Sequence, residues 1–380
     1  MTTAFSKQTT APFRFDTVGS FLRPAALKQA RADFEANQLT KEALTEIEDQ
    51  AIIELIKKQE AAGLTGVTDG EFRRSWWHLD FFWGLNGVSY KDATKGYNFH
   101  GEETRAETAT ITGKLSGTNH PFVAHFKFVQ AHAATTSEVR QTIPAPAQFF
   151  KELLRPENQA EVAAIYPTKA ELIADIVKAY KETIDELYAA GCRVLQLDDC
   201  TWGMLVAKLP DGVLVEGKSE EEVRTDLKNE LVAINNAVIE GLPDDLTVNT
   251  HVCRGNYHST WSASGGYDDV ADPLFTKEHV HAYYLEYDTN RAGGFGPLQF
   301  VRGDQYVVLG LVTSKSGELE EKAQLIERIQ EASQYVSLDR LCLSPQCGFA
   351  STEEGNVLTE EQQWAKIALI QEVAAEVWGD

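Results

Sequence analysis

Short β-branched apolar runs alternate along this chain with longer stretches whose apolar residues recur at helical spacing. Residues 13–20 read as a strand ending in a Gly-Ser turn. Over 41–62 the apolar positions Ile47, Ala51, Ile52, Leu55 and Ile56 keep helical spacing, and Gly63 stands where a C-terminal cap would. Residues 64–69 predict a second strand leading into GEFRR, and 141–144 a third, ending at Pro144. Beyond Pro167 the rhythm is clearest. A helix over 169–190 stops at Gly191, and a strand over 193–198 follows. A helix around 220–240 precedes a strand over 246–252, and 283–285 and 306–310 are short apolar strands. A helix over 318–335, a strand over 340–344 and a helix over 359–378 complete the pattern. Strands that alternate with helices are parallel, and eight such units favour a closed (β/α)8 TIM barrel over an open doubly wound sheet.

Residues 86–140 break the rhythm. Alternating stretches at 108–115 and 122–129 predict a β-hairpin or small subdomain inserted after the second strand. No linker, low-complexity tract or short-period repeat divides the chain, so residues 1–380 read as one catalytic domain.

Composition narrows the function classes. With 380 residues and 43% hydrophobic content the chain can bury one large core. Thirty-five basic residues against 57 acidic ones give a net charge of −22, which disfavours nucleic acid and anionic membranes as partners. No apolar run approaches the roughly 20 residues that span a bilayer. Residues 1–12 are polar and lack the apolar segment of a secretory signal, so a cytoplasmic location is expected. Five cysteines in such a chain read as free, catalytic or metal-bound thiols rather than a disulfide framework. Nothing in the pattern speaks to oligomeric state.

In a barrel the C-terminal strand ends face the active site, and here polar residues stand at nearly every one. They are Val18-Gly19-Ser20, Asp69-Gly70-Glu71, Asp198-Asp199-Cys200, His251-Val252-Cys253, Glu286-Tyr287-Asp288 and Cys347. His251 and Cys253 sit two apart on a predicted strand, so their side chains share a face. An imidazole and a soft thiolate together suit Zn2+. Alone the triplet says little; Cys347 and Glu286 at other strand ends give it weight, because a barrel converges distant residues. His, Cys and carboxylate donors with a position left open are the chemistry of a catalytic zinc site.

Other residues read more simply. Cys192 and Cys342 are expected to pack in apolar strands, and Cys200 to line the site without being a ligand. His279 and His281 fall before a strand, on the wrong end. Trp76, Trp77, Phe81, Phe82 and Trp83 are expected to be core or lid packing. Residues 293–296 lack the spacing of a phosphate loop, and no GxSxG elbow is present.

The stretches TVGSFLRP, VTDGEFRR, LQLDDC, THVC, LEYDTNR and LSPQCGF, in this order, resemble the C-terminal catalytic barrel of the cobalamin-independent methionine synthase family. The resemblance runs from about Phe13 to the end and matches a short, single-barrel branch lacking the family's N-terminal barrel. It implies a zinc held by His251, Cys253, Glu286 and Cys347, with Asp288 the alternative carboxylate. It implies that homocysteine binds as a thiolate nucleophile and is methylated by a small-molecule donor. Backbone groups around Val18 to Ser20 would take the amino acid's carboxylate, and Glu71 and Asp198 its ammonium, with Asp198 also counted among the catalytic set.

Two departures mark the donor side. The family's histidine after the seventh strand is missing from Leu311-Val312-Thr313-Ser314-Lys315, and its pterin-stacking tryptophan has no counterpart near Ile143-Pro144-Ala145-Pro146. The donor is therefore expected to differ from methyltetrahydrofolate polyglutamate, or folate to bind differently. A coenzyme M alkyltransferase is the nearest rival; its sulfonate would need arginines, for which Arg73 and Arg74 are candidates. A non-catalytic zinc barrel, or an unrelated decarboxylase, are the blander alternatives; the latter leaves Cys253 and Cys347 unexplained.

Overall fold

The computed structural model describes residue 5, residues 8–206, residue 209 and residues 217–379; within the polar N-terminal stretch, residues 1–4 and 6–7 lie outside the described residues. In chain order the strands are β1 (Gly66–Val67), β2 (Asn86–Asp92), β3 (Asn98–Phe99), β4 (Glu102–Glu103), β5 (Glu107–Ser116), β6 (Glu138–Pro144), β7 (Val194–Asp199), β8 (Thr247–Val252), β9 (Ala282–Glu286), β10 (Tyr306–Val312) and β11 (Leu341–Pro345). β1 and then β6 to β11 pair in order, all parallel, as one curled seven-stranded sheet consistent with a TIM-like barrel. β7, β9 and β11 are buried at every position, as parallel strands covered on both faces must be.

Helices cover the outer face, and local sequence explains where they start. Thr168, Ser219 and Thr359 each form a capping box with the glutamate or glutamine three residues on, opening the helices Lys169–Ala189, Glu220–Ile239 and Glu360–Trp378. Inside the sheet, Ala282, Tyr284, Val308, Cys342 and Val18 make a small apolar cluster. It sits against a buried polar group: Arg140 contacts Asp16 at 3.2 Å and donates to the Tyr284 hydroxyl at 3.0 Å, and that hydroxyl donates to Asp16 at 2.6 Å.

Two expected strands come out differently. The 13–20 stretch forms a single parallel bridge, Phe15 to Leu343, rather than a strand. Side chains compete for its backbone: Asp16 Oδ1 accepts from the Thr17 amide, Arg140 donates to the Thr17 carbonyl, and Gln196 Nε2 donates to the Val18 carbonyl. The stretch is nonetheless held on both sides. Asp16 N and Leu343 O are 3.0 Å apart, Leu343 N donates to Arg14 O at 2.9 Å, and Thr68 Oγ1 donates to Gly19 O at 2.5 Å. The Arg14 guanidinium reaches Leu341 O, 327 residues away in sequence, and Arg23 reaches Ala350 O.

Residues 122–129 are helical, within Pro121–His132, not a strand. Phe122, Phe126 and Val129 are its buried residues, spaced by helical turns, Pro121 stands in the first turn, and His120 Nδ1 caps the Phe122 amide. Between β1 and β6 the other regular pairings are β2 with β5 and β3 with β4, both antiparallel.

Candidate metal and substrate site

Parallel pairing sets Asp198 beside His251, and His251 beside Tyr284, at the C-terminal ends of β7, β8 and β9. His251, Cys253, Glu286 and Cys347 each offer one donor atom there, all within 4.8 Å of one another and all on buried residues. His251 Nε2 lies 3.3 Å from Cys347 Sγ, and the two sulfurs of Cys253 and Cys347 are 3.7 Å apart. A tetrahedral zinc with ordinary Zn–S and Zn–N bonds separates two sulfurs by about 3.8 Å and a sulfur from a nitrogen by about 3.5 Å. The two observed spacings would fit zinc ligation. The other imidazole nitrogen, Nδ1, is 3.1 Å from the Tyr284 carbonyl, which aims Nε2 at the cluster.

Glu286 supplies the most telling detail. Its side chain is fully buried, yet neither carboxylate oxygen has a hydrogen-bond partner. The nearest cations, Arg254 Nη1 and Arg291 Nη1, stand off at 3.8 and 3.7 Å. Both are engaged elsewhere: Arg254 with Gly265 O and the Tyr267 hydroxyl, Arg291 with Asp288 and Ala263 O. A buried, unsatisfied carboxylate is costly unless something else coordinates it. Asp288, the alternative, faces Arg291 Nη2 at 3.5 Å and is not among the mutually close donors.

The protein alone keeps these thiols protonated. The Cys347 thiol is pushed well up by its hydrogen bond with Cys253 and then by burial; that of Cys253 is pushed up by Cys200. A metal bound here would displace those protons.

The cluster opens on a cavity of about 510 Å³ that also takes in Val18, Ser20, Glu71 and Asp198. Glu71 sits at φ 62° in the turn after β1. One of its oxygens accepts from Arg74 at 3.1 Å and Thr142 Oγ1 at 2.9 Å; the other, Oε2, is buried without a partner. Asp198 accepts from Gln196 Nε2 at 2.8 Å, and burial, then the nearby Glu71, hold its carboxyl well above the usual range. Two acids in one desolvated corner favour a cation between them. Ser20 Oγ accepts from the Ala350 amide at 3.3 Å, fastening this corner to the turn that carries Cys347.

The remaining sequence candidates separate cleanly. Cys200 lines the cavity, while Cys192 and Cys342 are buried packing residues. His279 is exposed and His281 packs on Tyr306, away from the cluster. The aromatic run divides: Trp76 and Trp77 line the cavity, whereas Phe81 and Phe82 are core. Arg73 pairs with Glu48 and Asp49, and Arg74 is spent on Glu71 and Thr142; neither lines the cavity. Lys315, in the stretch that lacks a histidine, donates to Asn256 Oδ1 at 2.9 Å.

Sequence reading passed over Gln148, Lys151 and Arg155, which also line the cavity. Gln148 and Lys151 lie on the helix Pro146–Leu153 and Arg155 just beyond it. The available signal was their spacing of three and four residues, which puts polar groups on one helical face.

Comparison with known proteins bears on the fold and the family. A Bacillus subtilis (strain 168) protein described as uncharacterised, YxjH, is 46% identical over 98% of this chain and 96% of its own length. A Listeria monocytogenes structure provisionally described as a vitamin-B12-independent methionine synthase superposes with TM-score 0.74 at 34% identity, covering 98% of this chain and 99% of that one. A B12-independent methionine synthase from Shewanella sp. W3-18-1, solved with selenomethionine, shares the fold at TM-score 0.71 and 20% identity, covering 96% and 97%. Residues 13–374 match the model of the cobalamin-independent synthase catalytic domain, and the chain belongs to that family.

Proposed function

We propose that this protein is a zinc-dependent methyltransferase that methylates the thiol of homocysteine to form methionine. One observation carries the reading: in a buried His, Cys, Cys and Glu donor cluster, the histidine and both cysteines line the same cavity as the paired acids Glu71 and Asp198. His251, Cys253, Glu286 and Cys347 would hold the metal, which when bound supplies the Lewis acidity that keeps a coordinating thiol ionised at neutral pH.

The chain's own residues account for the rest. Acids and sulfurs line one cavity, which would suit an amino acid with a thiol at one end and an ammonium at the other. Glu71 Oε2 and Asp198 take the ammonium, and the backbone around Val18 to Ser20 takes the carboxylate. Gln196 and Thr142 hold the two acids in place, and the Tyr284 carbonyl holds the His251 ring. A sulfonate thiol fits less well, because the corner offers acids where it would need arginines. The same reading takes residues 13–20 as the eighth stave of a (β/α)8 barrel, residues 86–140 as an insertion, and the chain as one catalytic domain. It also carries a cytoplasmic setting, in which cysteine thiols stay reduced. Among the described residues no helix is long and apolar enough to cross a membrane.

Metal analysis with X-ray absorption, with and without homocysteine, tests it. About one zinc per chain, gaining a sulfur neighbour when homocysteine is added, is expected on catalytic-site chemistry. Zinc that ignores homocysteine would overturn the assignment of substrate.

A further inference from the structure

The thiol half of the cavity leaves a second wall unused. It begins where β6 ends: the Ala145 amide donates to Asp198 O at 2.8 Å, and the helix Pro146–Leu153 leads away from that point. Gln148 and Lys151 look into the cavity from this helix, with Trp77 and Tyr97 on neighbouring surfaces and the part-exposed Met204 at its mouth. At the helical rise, Lys151 lies on the order of 9 Å along the helix from the Asp198 corner.

Lys151 is unusual in a chain this acidic. Among the described residues it makes no hydrogen bond and no ion pair, and the carboxylate that acts on it, Glu230, is taken by Lys169. Its basic neighbour in the cavity lining has carboxylates beside it. Arg155, one turn further on, is held by Glu152 and Glu157. One turn back, Gln148 Oε1 is buried without a partner. A half-buried ammonium facing a cavity with no hydrogen bond or ion pair of its own, beside an unsatisfied amide, marks a place for a ligand anion that also carries a hydrogen-bond donor.

We propose that Lys151, with Gln148, is the specificity determinant for the methyl donor, and that it selects a donor bearing a carboxylate or phosphate over a sulfonium cation. The proposal rests on the methyltransferase reading above. It sets the donor's charged end at the far wall and leaves its methyl end free to face the thiol cluster. Lys151 is a positioning residue: it holds the donor and does not touch the transferred group.

The test uses the zinc-loaded full chain with homocysteine and two probes, methyltetrahydrofolate as the anionic donor and S-methylmethionine as the cationic one. Wild type should saturate with the anionic probe. Lys151→Met should raise its KM about ten- to a hundredfold with kcat within about twofold, the loss expected for one hydrogen-bonded charge contact. Lys151→Arg should restore most of it, and Lys151→Glu should shift preference toward the sulfonium. In each variant homocysteine should still add its sulfur to the zinc, which keeps a failure of this proposal distinct from a failure of the thiol reading. An unchanged KM in Lys151→Met overturns the proposal, as does wild-type use of the sulfonium with no saturation by the anion.

Discussion

Glu286→Gln separates a metal ligand from a structural counter-ion, because the two roles predict opposite signs in the absence of metal. The wild-type carboxylate is fully buried and has no hydrogen bond, and the two guanidinium groups near it stand at 3.7 and 3.8 Å with other partners in hand. Leaving such a group unsatisfied costs about 1–3 kcal/mol. Part of that is offset by the arginines, so the metal-free Gln variant should be as stable as wild type or more stable by roughly 1 kcal/mol. With zinc the sign reverses. A four-ligand structural zinc site contributes about 10–16 kcal/mol in small peptides, so one ligand of four is worth about 3 kcal/mol, or roughly a hundredfold in metal affinity. Urea unfolding in the presence of chelator, set against the same titration with saturating zinc, reads both terms. Equal destabilisation by several kcal/mol in both conditions would show that Glu286 serves Arg254 and Arg291, and would refute its role as a ligand.

Three further outcomes are expected. Cys347→Ala removes the sulfur 3.3 Å from His251 Nε2 and 3.7 Å from Cys253 Sγ and should lose zinc and turnover together; unchanged zinc content by metal analysis would contradict the cluster. Asp198→Asn should keep zinc but weaken homocysteine binding about ten- to a hundredfold by calorimetry, since it removes one charged partner of the ammonium. Glu278 gives a pH signature away from the site: burial, then Asp199, lifts its carboxyl from 4.5 to about 8. The folded chain therefore holds a proton that the unfolded chain has lost, so stability should fall as pH rises from about 4.5 to about 8 and level off beyond. Glu278→Gln should flatten that slope, on the order of a few kcal/mol across the window, in denaturant midpoints measured against pH.

The site was legible where single residues carry chemistry that a strand end exposes. His251, Cys253, Glu286 and Cys347 stand at or just past the ends of β8, β9 and β11, and a parallel sheet brings such ends together whatever the loops do. The helices were legible from periodicity and caps, as at Thr168 and Ser219. Two kinds of feature escaped. Residues 122–129 carry aromatics at positions that suit either a strand or a helix, and Pro121 with the His120 cap decides for the helix. Residues 13–20 have a strand's composition, but Asp16, Arg140 and Gln196 capture backbone groups that a ladder would use. Arg140 and Gln196 come from other strands, so no local pattern announces them. Gln148 and Lys151 escaped for a similar reason: an ordinary polar helix face becomes informative only once the cavity beside it is known.

The tie between the 13–20 stretch and β11 has a consequence for the order of assembly. Arg14 and Asp16 find their partners at Leu341 and Leu343, Arg23 finds Ala350, and Ser20 receives the Ala350 amide beside the Cys347 turn. During synthesis the early segment must wait, its polar groups in water, until more than 300 later residues have emerged. Contacts this distant in sequence form slowly and late, because loop closure precedes any gain. Cys347 arrives with the same late segment, so the donor cluster is completed only as the fold closes. A ribosome-bound chain stalled before β11 would have His251, Cys253 and Glu286 in hand and still lack the fourth member of the donor cluster.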